Sequence, residues 1–343
     1  MAQNGRIRVA VDAMGGDYAP EEVVKGAVFA AEKEDVQIFL VGPPAILEKE
    51  LAKYKITNGS TVHVVGASEF IKENESPVDV IRRKPDCSVA VAAKMVKSGE
   101  ADALFSAGSS GAAAISAIQY IGMLNGVYRP ALVGSLGSFA SNTVMVDLGA
   151  NVDCKPHQFL VFAIAGSVYA KKFLNIADPK IALLSTGSEE TKGNEAVREA
   201  YSVLKNSGLN FIGNIEGGDI LNGKANVIVC DGFVGNVLLK FYESIGGRAQ
   251  VWTERKLKKY PPLRALARLL FKRLFPATRI SKETERQGGG ILWGVNGVVK
   301  IAHGASRAPQ IANAIESAKE AVKAGVVESM KMELEKFNRG GKS

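Results

Sequence analysis

Six stretches of this 343-residue chain set glycine beside residues that bind or position anions, each where an apolar run ends. They are VDAMGGD at 11–17, SAGSSGA at 106–112, VMVDLGAN at 144–151, LLSTGSEETKGNE at 183–195, VIVCDGFVGNVLLK at 227–240 and VVKIAHGASRA at 298–308. Glycine lets a backbone approach a ligand closely, and the free N–H groups of a helix start attract anions. One such junction is usually just a tight turn. Six together predict one shared cleft beyond the carboxyl ends of the strands, where open α/β sheets bind their ligands. Lys192, with Gly193 and Asn194 at a helix start, is the leading candidate for an anion pocket. Asn236 and His303 are placed to face a reacting carbonyl, although a strand-end histidine can equally orient a turn. Asp12, Asp147 and Asp231 can each serve a ligand, cap a turn or pin a loop.

Other chemistries lack their residues. Cys87, Cys154 and Cys230 are scattered without a Cys-x-x-Cys spacing and read as reduced thiols. His63 lies mid-strand and His157 starts a helix, so no Cys/His nucleophile pair emerges by spacing. GDILNGK at 218–224 mimics a phosphate loop. However, Ala225 stands where Ser or Thr should ligand Mg²⁺, and a strand follows where a helix is required. A G-x-G-x-x-G fingerprint is missing, and neither a metal nor a cofactor is expected.

These loops need a scaffold to hold them. Apolar runs at 6–12, 36–41, 61–65, 103–106, 130–136, 143–147, 180–185, 226–230 and 297–301 read as strands. Helical stretches at 21–33, 45–53, 88–97, 111–121, 156–173, 194–205, 235–246 and 308–323 alternate with them, and the tail after Lys331 is expected to fray. This alternation predicts an α/β fold, a mostly parallel sheet flanked by helices. Residues 1–343 read as a single α/β domain, with room for two lobes around one cleft. The start lacks a signal peptide and no run is long and apolar enough to span a membrane, so a cytoplasmic protein is expected.

The net charge of +8 has one source. Nine bases against one acid lie between residues 254 and 279, and the rest of the chain is balanced. A single basic stripe on a neutral body suggests a local docking surface and not nucleic-acid binding. Residues 250–285 read as a basic amphipathic helical insertion. Leu263, Leu266, Leu270 and Leu274 fall on one face, and Arg264, Arg268 and Lys272 on another. Such a helix suits an anionic membrane surface or an acidic protein partner, or it is a core helix with a solvated face.

In this order and across essentially the whole chain, DAMGGD, SAG-x-x-GA, D-x-GAN, E-x-x-KGN, CDGF-x-GN and HG-x-S resemble the bacterial phosphate acyltransferase family. These are the acyl-carrier-protein:phosphate transacylases of phospholipid synthesis. The motifs are specific together and weak singly. Ser109 and Ser110 replace a common Asn-Thr, Ser185 and Thr186 a common Asn-Ile, and Ala305 a common Ser. The resemblance implies a fold similar to isopropylmalate dehydrogenase and phosphotransacetylase, a homodimer, and peripheral membrane association. It also implies transfer of a fatty acyl group from acyl carrier protein to inorganic phosphate. The acyl phosphate would feed an acyl-phosphate-dependent glycerol-3-phosphate acyltransferase. Lys192, Asn236 and His303 are then the catalytic candidates. Asp12, Gly15, Gly16, Asp17, Ser106, Gly108, Ser109, Ser110, Gly111, Asn151, Gly193, Asn194, Asp231, Gly232, Gly304 and Ser306 are the substrate-binding candidates.

The chemistry agrees with the residues present. Phosphate is already an anionic nucleophile, and a thiolate with a free pKa near ~8.5 is a tolerable leaving group. The protein need only supply a cationic, N–H-lined pocket, correct placement and donors for the oxyanion. Two rival readings are an NAD-linked decarboxylating hydroxyacid dehydrogenase, which would need an arginine cluster not found at these loops, and a membrane-bound scaffold without catalysis.

Overall fold

Short runs of Val, Ile, Leu and Ala, apolar on both sides, suit strands covered on both faces. The computed structural model describes residues 6–32, 35–54, 61–71, 75, 83–135, 140, 142–274 and 289–340. Among them eleven strands form one sheet: β1 (Ile7–Asp12), β2 (Val36–Gly42), β3 (Val62–Gly66), β4 (Ala103–Ser106), β5 (Ala131–Ser135), β6 (Val144–Val146), β7 (Ile181–Leu184), β8 (Phe211–Ile215), β9 (Val227–Val229), β10 (Gly290–Trp293) and β11 (Val298–Ile301). Their order is β3-β2-β1-β4-β11-β10-β5-β6-β9-β7-β8.

Strand direction changes along that order, and the site depends on it. β3, β2, β1, β4 and β11 run parallel. β10 is antiparallel to both β11 and β5, which restores the first direction at β5. β5 then pairs antiparallel with β6, and β9, β7 and β8 follow β6 in parallel. The sheet therefore consists of two mostly parallel halves pointing in opposite directions.

The helices are α1 (Glu21–Ala31), α2 (Pro44–Leu51), α3 (Ser88–Ser98), α4 (Ser110–Ser116), α5 (Pro156–Phe173), α6 (Glu195–Lys205), α7 (Gly232–Lys256), α8 (Pro261–Leu274), α9 (Ala308–Lys323) and α10 (Val326–Gly340). α5 is apolar nearly all round and lies against the sheet centre, burying Phe159, Phe162, Ile164 and Val168. Gly166 allows this contact: a Cβ there would fall 2.3 Å from Val227 Cγ1. Gly26 lets α1 cross α9 in the same way, since its Cβ would meet that of Ile311 at 2.6 Å.

The expected α/β class, mostly parallel with flanking helices, is the observed one. Three local expectations change. The tail after Lys331 does not fray: α10 continues to Gly340 and buries Val326, Met330 and Leu334. β8 and β10 were not anticipated, because FIGNI is broken by Gly213 in the left-handed region and GILW is short. α7 continues past Gly246 and Gly247 to Lys256, although such a pair costs about 2 kcal/mol in helix propensity and reads as a stop.

The basic segment includes α8, whose Leu263 and Leu266 are half exposed to solvent. The side chains of Arg264, Arg268, Leu270, Lys272 and Leu274 lie outside the described residues, as do residues 275–288. No helix among the described residues is long and apolar enough to cross a membrane.

Candidate active site

At the carboxyl ends of β1, β4 and β11, three of the six junctions meet. Asp12 closes β1 and is almost fully buried. Its carboxylate accepts hydrogen bonds from Ser88 Oγ at 2.6 Å and Ser106 Oγ at 2.7 Å. Ser106 ends β4, and its hydroxyl oxygen accepts from Gly108 N at 3.0 Å. Burial pushes the Asp12 carboxyl above the usual range, while the two serine hydroxyls pull it back. Asp12 thus ties three elements together: β1, the start of α3 and the turn after β4.

Glycine is required by contact here. A Cβ on Gly15 would lie 2.4 Å from Asp12 Oδ2 and 2.9 Å from Gly108 N. One on Gly304 would lie 2.4 Å from Asp17 Oδ1, and Asp17 N donates to Gly304 O at 2.9 Å. The result is a cavity of about 450 Å³. Of the expected substrate-binding residues it is lined by Asp12, Gly15, Gly16, Asp17, Ser106, Gly108, Ser109, Ser110 and Gly304. Gly111 follows at the exposed start of α4, where Ser109 Oγ accepts from Ala112 N as the cap. His303 is exposed beside Gly304, and Ser306 N donates to the His303 carbonyl.

Among the described residues the lining contains three carboxylates, Asp12, Asp17 and Glu75, and no lysine, arginine or histidine. Nearby cations are engaged elsewhere. Lys84 pairs with Glu75 at 2.8 Å, and the Arg307 guanidinium stacks on Tyr18 at 3.3 Å and approaches Glu22 at 3.8 Å.

The other three junctions lie at the ends of β6, β9 and β7. Asp147 is fully buried, and its carboxylate accepts from the backbone N–H of Leu132, Gly149, Ala150 and Asn151 and from Asn151 Nδ2. Burial pushes this carboxyl up, against the pull of those donors. Asn151 gives its other amide hydrogen to Pro130 O at 2.7 Å. These bonds tie Asn151 into the framework of the loop. Asp231 Oδ1 accepts from Val234 N at 2.8 Å and so caps α7. Gly232 N donates to Asn151 O at 2.6 Å, and Gly149 packs against the Asn236 side chain. Both nearby thiols are inert: burial drives Cys154 to about 12 and Cys230 well above its ordinary value.

Lys192 is exposed in the loop after β7, and no hydrogen bond or ion pair holds its ammonium among the described residues. Gly193 takes a φ of 99°, with its carbonyl accepting from Arg198 Nη1 at 2.7 Å. Asn194 Oδ1 accepts from Val197 N at 2.9 Å and caps α6.

The six junctions divide between two groups of strand ends. Because β5 and β6 are antiparallel, the carboxyl ends of β6, β9 and β7 lie at the opposite sheet edge from those of β1, β4 and β11. Lys192, Gly193, Asn194, Asp231, Gly232 and Asn236 are not among the described residues that line the Asp12 cavity. Ser88, Glu75 and Arg307 were missed. Ser88 follows a cysteine at a helix start, and Arg307 lay inside the HGASRA stretch. Among the described residues, no three His, Cys, Asp or Glu side chains gather as a metal-holding group.

Comparison with known proteins gives a consistent answer. A family model described as "Fatty acid synthesis protein" matches residues 7–329. A phosphate acyltransferase of Pelotomaculum thermopropionicum is 42% identical over 336 residues, covering 98% of this chain and 97% of that one. A phosphate acyltransferase of Syntrophomonas wolfei is 44% identical over 335 residues, 97% of this chain and 100% of the other. In fold, the chain is similar to a phosphotransacetylase from Streptococcus pyogenes, with a TM-score of 0.62 at 19% identity and 94% of each chain covered.

Proposed function

This chain belongs to the phosphate acyltransferase family and is an acyltransferase of fatty acid synthesis, and from that premise we propose that it moves a fatty acyl group from acyl carrier protein to inorganic phosphate. The observation that carries the reading is the near-full-length likeness to phosphate acyltransferases, together with a glycine-walled cavity of about 450 Å³ at the strand ends. A cavity of that size has room for phosphate and the reacting end of a thioester.

A phosphate oxygen attacks the thioester carbonyl carbon, and the carbonyl electrons move onto oxygen. They return as the C–S bond breaks, the thiolate leaves on the carrier and takes a proton from solvent, and acyl phosphate remains. The nucleophile is anionic from the start, so the protein's work is placement and charge stabilisation. Lys192 is the cation assigned to phosphate, with Asn236 and His303 the donors for the oxyanion. The hydroxyls of Ser109 and Ser110, exposed at the cavity, are its hydrogen-bonding partners for phosphate. Asp12 holds the Ser106 turn in place through a hydrogen bond.

The product suits an acyl-phosphate-dependent glycerol-3-phosphate acyltransferase. The basic segment with its exposed Leu263 and Leu266 suits an anionic membrane surface, each base adding roughly 1 kcal/mol near a charged leaflet. Replacing Leu266, Leu270 and Leu274 by Glu should abolish sedimentation with anionic vesicles while leaving turnover of a soluble acyl thioester. Retained sedimentation would remove the membrane part of the reading. The catalytic part is tested by mixing acyl carrier protein thioester with phosphate. Free thiol and hydroxylamine-trapped acyl phosphate should appear in equal amounts; absence of both with folded protein would overturn it.

A further inference from the structure

We propose that Ser88, the first residue of α3, is a positioning residue for acyl transfer: its hydroxyl fixes the Asp12 carboxylate, which in turn fixes the turn at 106–108 beside which phosphate is held. The inference rests on the phosphate-transfer reading above and adds a residue that acts on the site through Asp12.

Counting hydrogens is the first reason. Ser88 is buried, lines the cavity with Asp12 and Ser106, and donates its hydroxyl to Asp12 Oδ1 at 2.6 Å. Ser106 Oγ already accepts from Gly108 N at 3.0 Å, so its single hydrogen goes to Asp12 Oδ2 at 2.7 Å. The Met14 backbone N–H donates to the same carboxyl group. Three donors fit an ionised acceptor, and O···O separations of 2.6 and 2.7 Å are those of charge-assisted bonds. A proton on Asp12 would meet a serine hydrogen head-on, and one hydroxyl would have to turn away. Burial works toward that proton, and the serine hydroxyls work against it.

Packing is the second. Cβ atoms on Gly15 and Gly108 would lie 2.4 and 3.5 Å from Asp12 Oδ2, so both loops rest on that oxygen. Ser109 and Ser110, the hydroxyls assigned to phosphate, follow Gly108 directly. A carboxyl group that rotates or gains a proton therefore shifts the turn that aims them. The third reason is reach. Ser88 N donates to Glu69 O at 3.0 Å, and the chain beyond Glu69 supplies Ile71 and Glu75 to the cavity wall. Ser88 is thus bonded to the wall at one end and to the floor at the other.

The test follows thiol release against phosphate concentration from pH 6 to 9. Ser88→Ala should lose about 10- to 100-fold in kcat/KM for phosphate at pH 7, the worth of a hydrogen bond to a charged group. Without the Ser88 donor Asp12 protonates at higher pH, so the acid limb moves up. The deficit should shrink by about tenfold per pH unit along that limb and level off in alkali. Asp17, Cys87, Glu75 with its partner Lys84, and His303 surround Asp12 in both proteins, and their titrations cancel in the ratio. Ser88→Thr keeps the hydroxyl and should keep the wild-type limb. Ser88→Ala added to Asp12→Asn should cost nothing further, because the Ser88 effect runs through the carboxylate. A deficit equal at every pH, a Thr profile like that of Ala, or additive losses in the double variant overturns the proposal.

A second measurement needs neither turnover nor a folded Ser88 variant. The protonated-carboxyl infrared band that Asp12→Asn removes should be missing from the wild-type protein at pH 7.5 and should appear only on acidification. Its presence at pH 7.5 overturns the ionised Asp12 on which the proposal stands. Lack of any thiol release by the wild-type protein, with the band behaving as expected, refutes the phosphate reading alone.

Discussion

Lys300 offers a quantitative test of how the sheet is held beneath the site. It sits on β11, whose end continues into Ala302 and Gly304, and is only 2% exposed. Its ammonium nitrogen donates to Gly289 O at 2.7 Å and to Ser317 Oγ at 3.1 Å, and no carboxylate faces it among the described residues. Burial pulls its pKa from 10.5 down to about 7. Between pH 7 and 10.5 the unfolded chain holds a proton that the folded chain lacks, so stability rises with pH across this window. Below pH 7 both states carry the proton and the effect ends. At about 1.4 kcal/mol per pH unit the full rise is at most about 5 kcal/mol. Lys300→Met abolishes this slope. It also strands the Gly289 carbonyl and the Ser317 hydroxyl, a loss of about 1–3 kcal/mol that does not vary with pH. Urea unfolding of both proteins at pH 7, 8 and 9 reads the effect. The wild-type advantage should grow by roughly 2–3 kcal/mol over those two units. The raised thiols of Cys154 and Cys230 affect both proteins alike and cancel in the difference. Parallel stability curves would refute the claim that Lys300 is neutral in the folded protein at high pH.

Further outcomes follow from single contacts. Gly15→Ala, with its Cβ 2.4 Å from Asp12 Oδ2, should cut turnover at least 100-fold while costing about 1–3 kcal/mol of stability; unchanged kcat would show that the Asp12 turn does not shape the site. Asn194→Ala should lose about 1 kcal/mol by urea unfolding and Asn194→Asp almost none, because only the cap of α6 is removed. Equal losses would mean that the side chain does something other than cap. Iodoacetamide at pH 7.5 should leave turnover intact, since the thiols near Asp147 stay protonated. Rapid inactivation would require a reactive cysteine that the reading does not contain.

The element types were legible because buried strands and amphipathic helices have different periods, and the strand at 297–301 or the helix at 308–323 could be read directly. Relative strand direction is a long-range property that period does not report. A local clue existed nonetheless: residues 136–143 join β5 to β6, too few for the dozen or more that a parallel crossover needs. Counting that link would have shown the reversal, and with it the division of the six loops between two sheet edges. The motifs around Asp12, Ser106 and Gly304 come together around one cavity in the structure. For Asn151, sequence shows an amide but not that Pro130 and Asp147 take up both of its hydrogens. Ser88 was invisible for the opposite reason: its bond to Asp12 spans 76 residues.

The central claim is that inorganic phosphate itself attacks the acyl thioester. Turnover of acyl carrier protein thioester with fully ¹⁸O-labelled phosphate, followed by mass spectrometry of the acyl phosphate, tests it most directly. The account predicts a product carrying all four labelled oxygens, released in step with free thiol. Thiol release with unlabelled fatty acid as the only acyl product would mean that water, not phosphate, is the nucleophile, and would contradict the account.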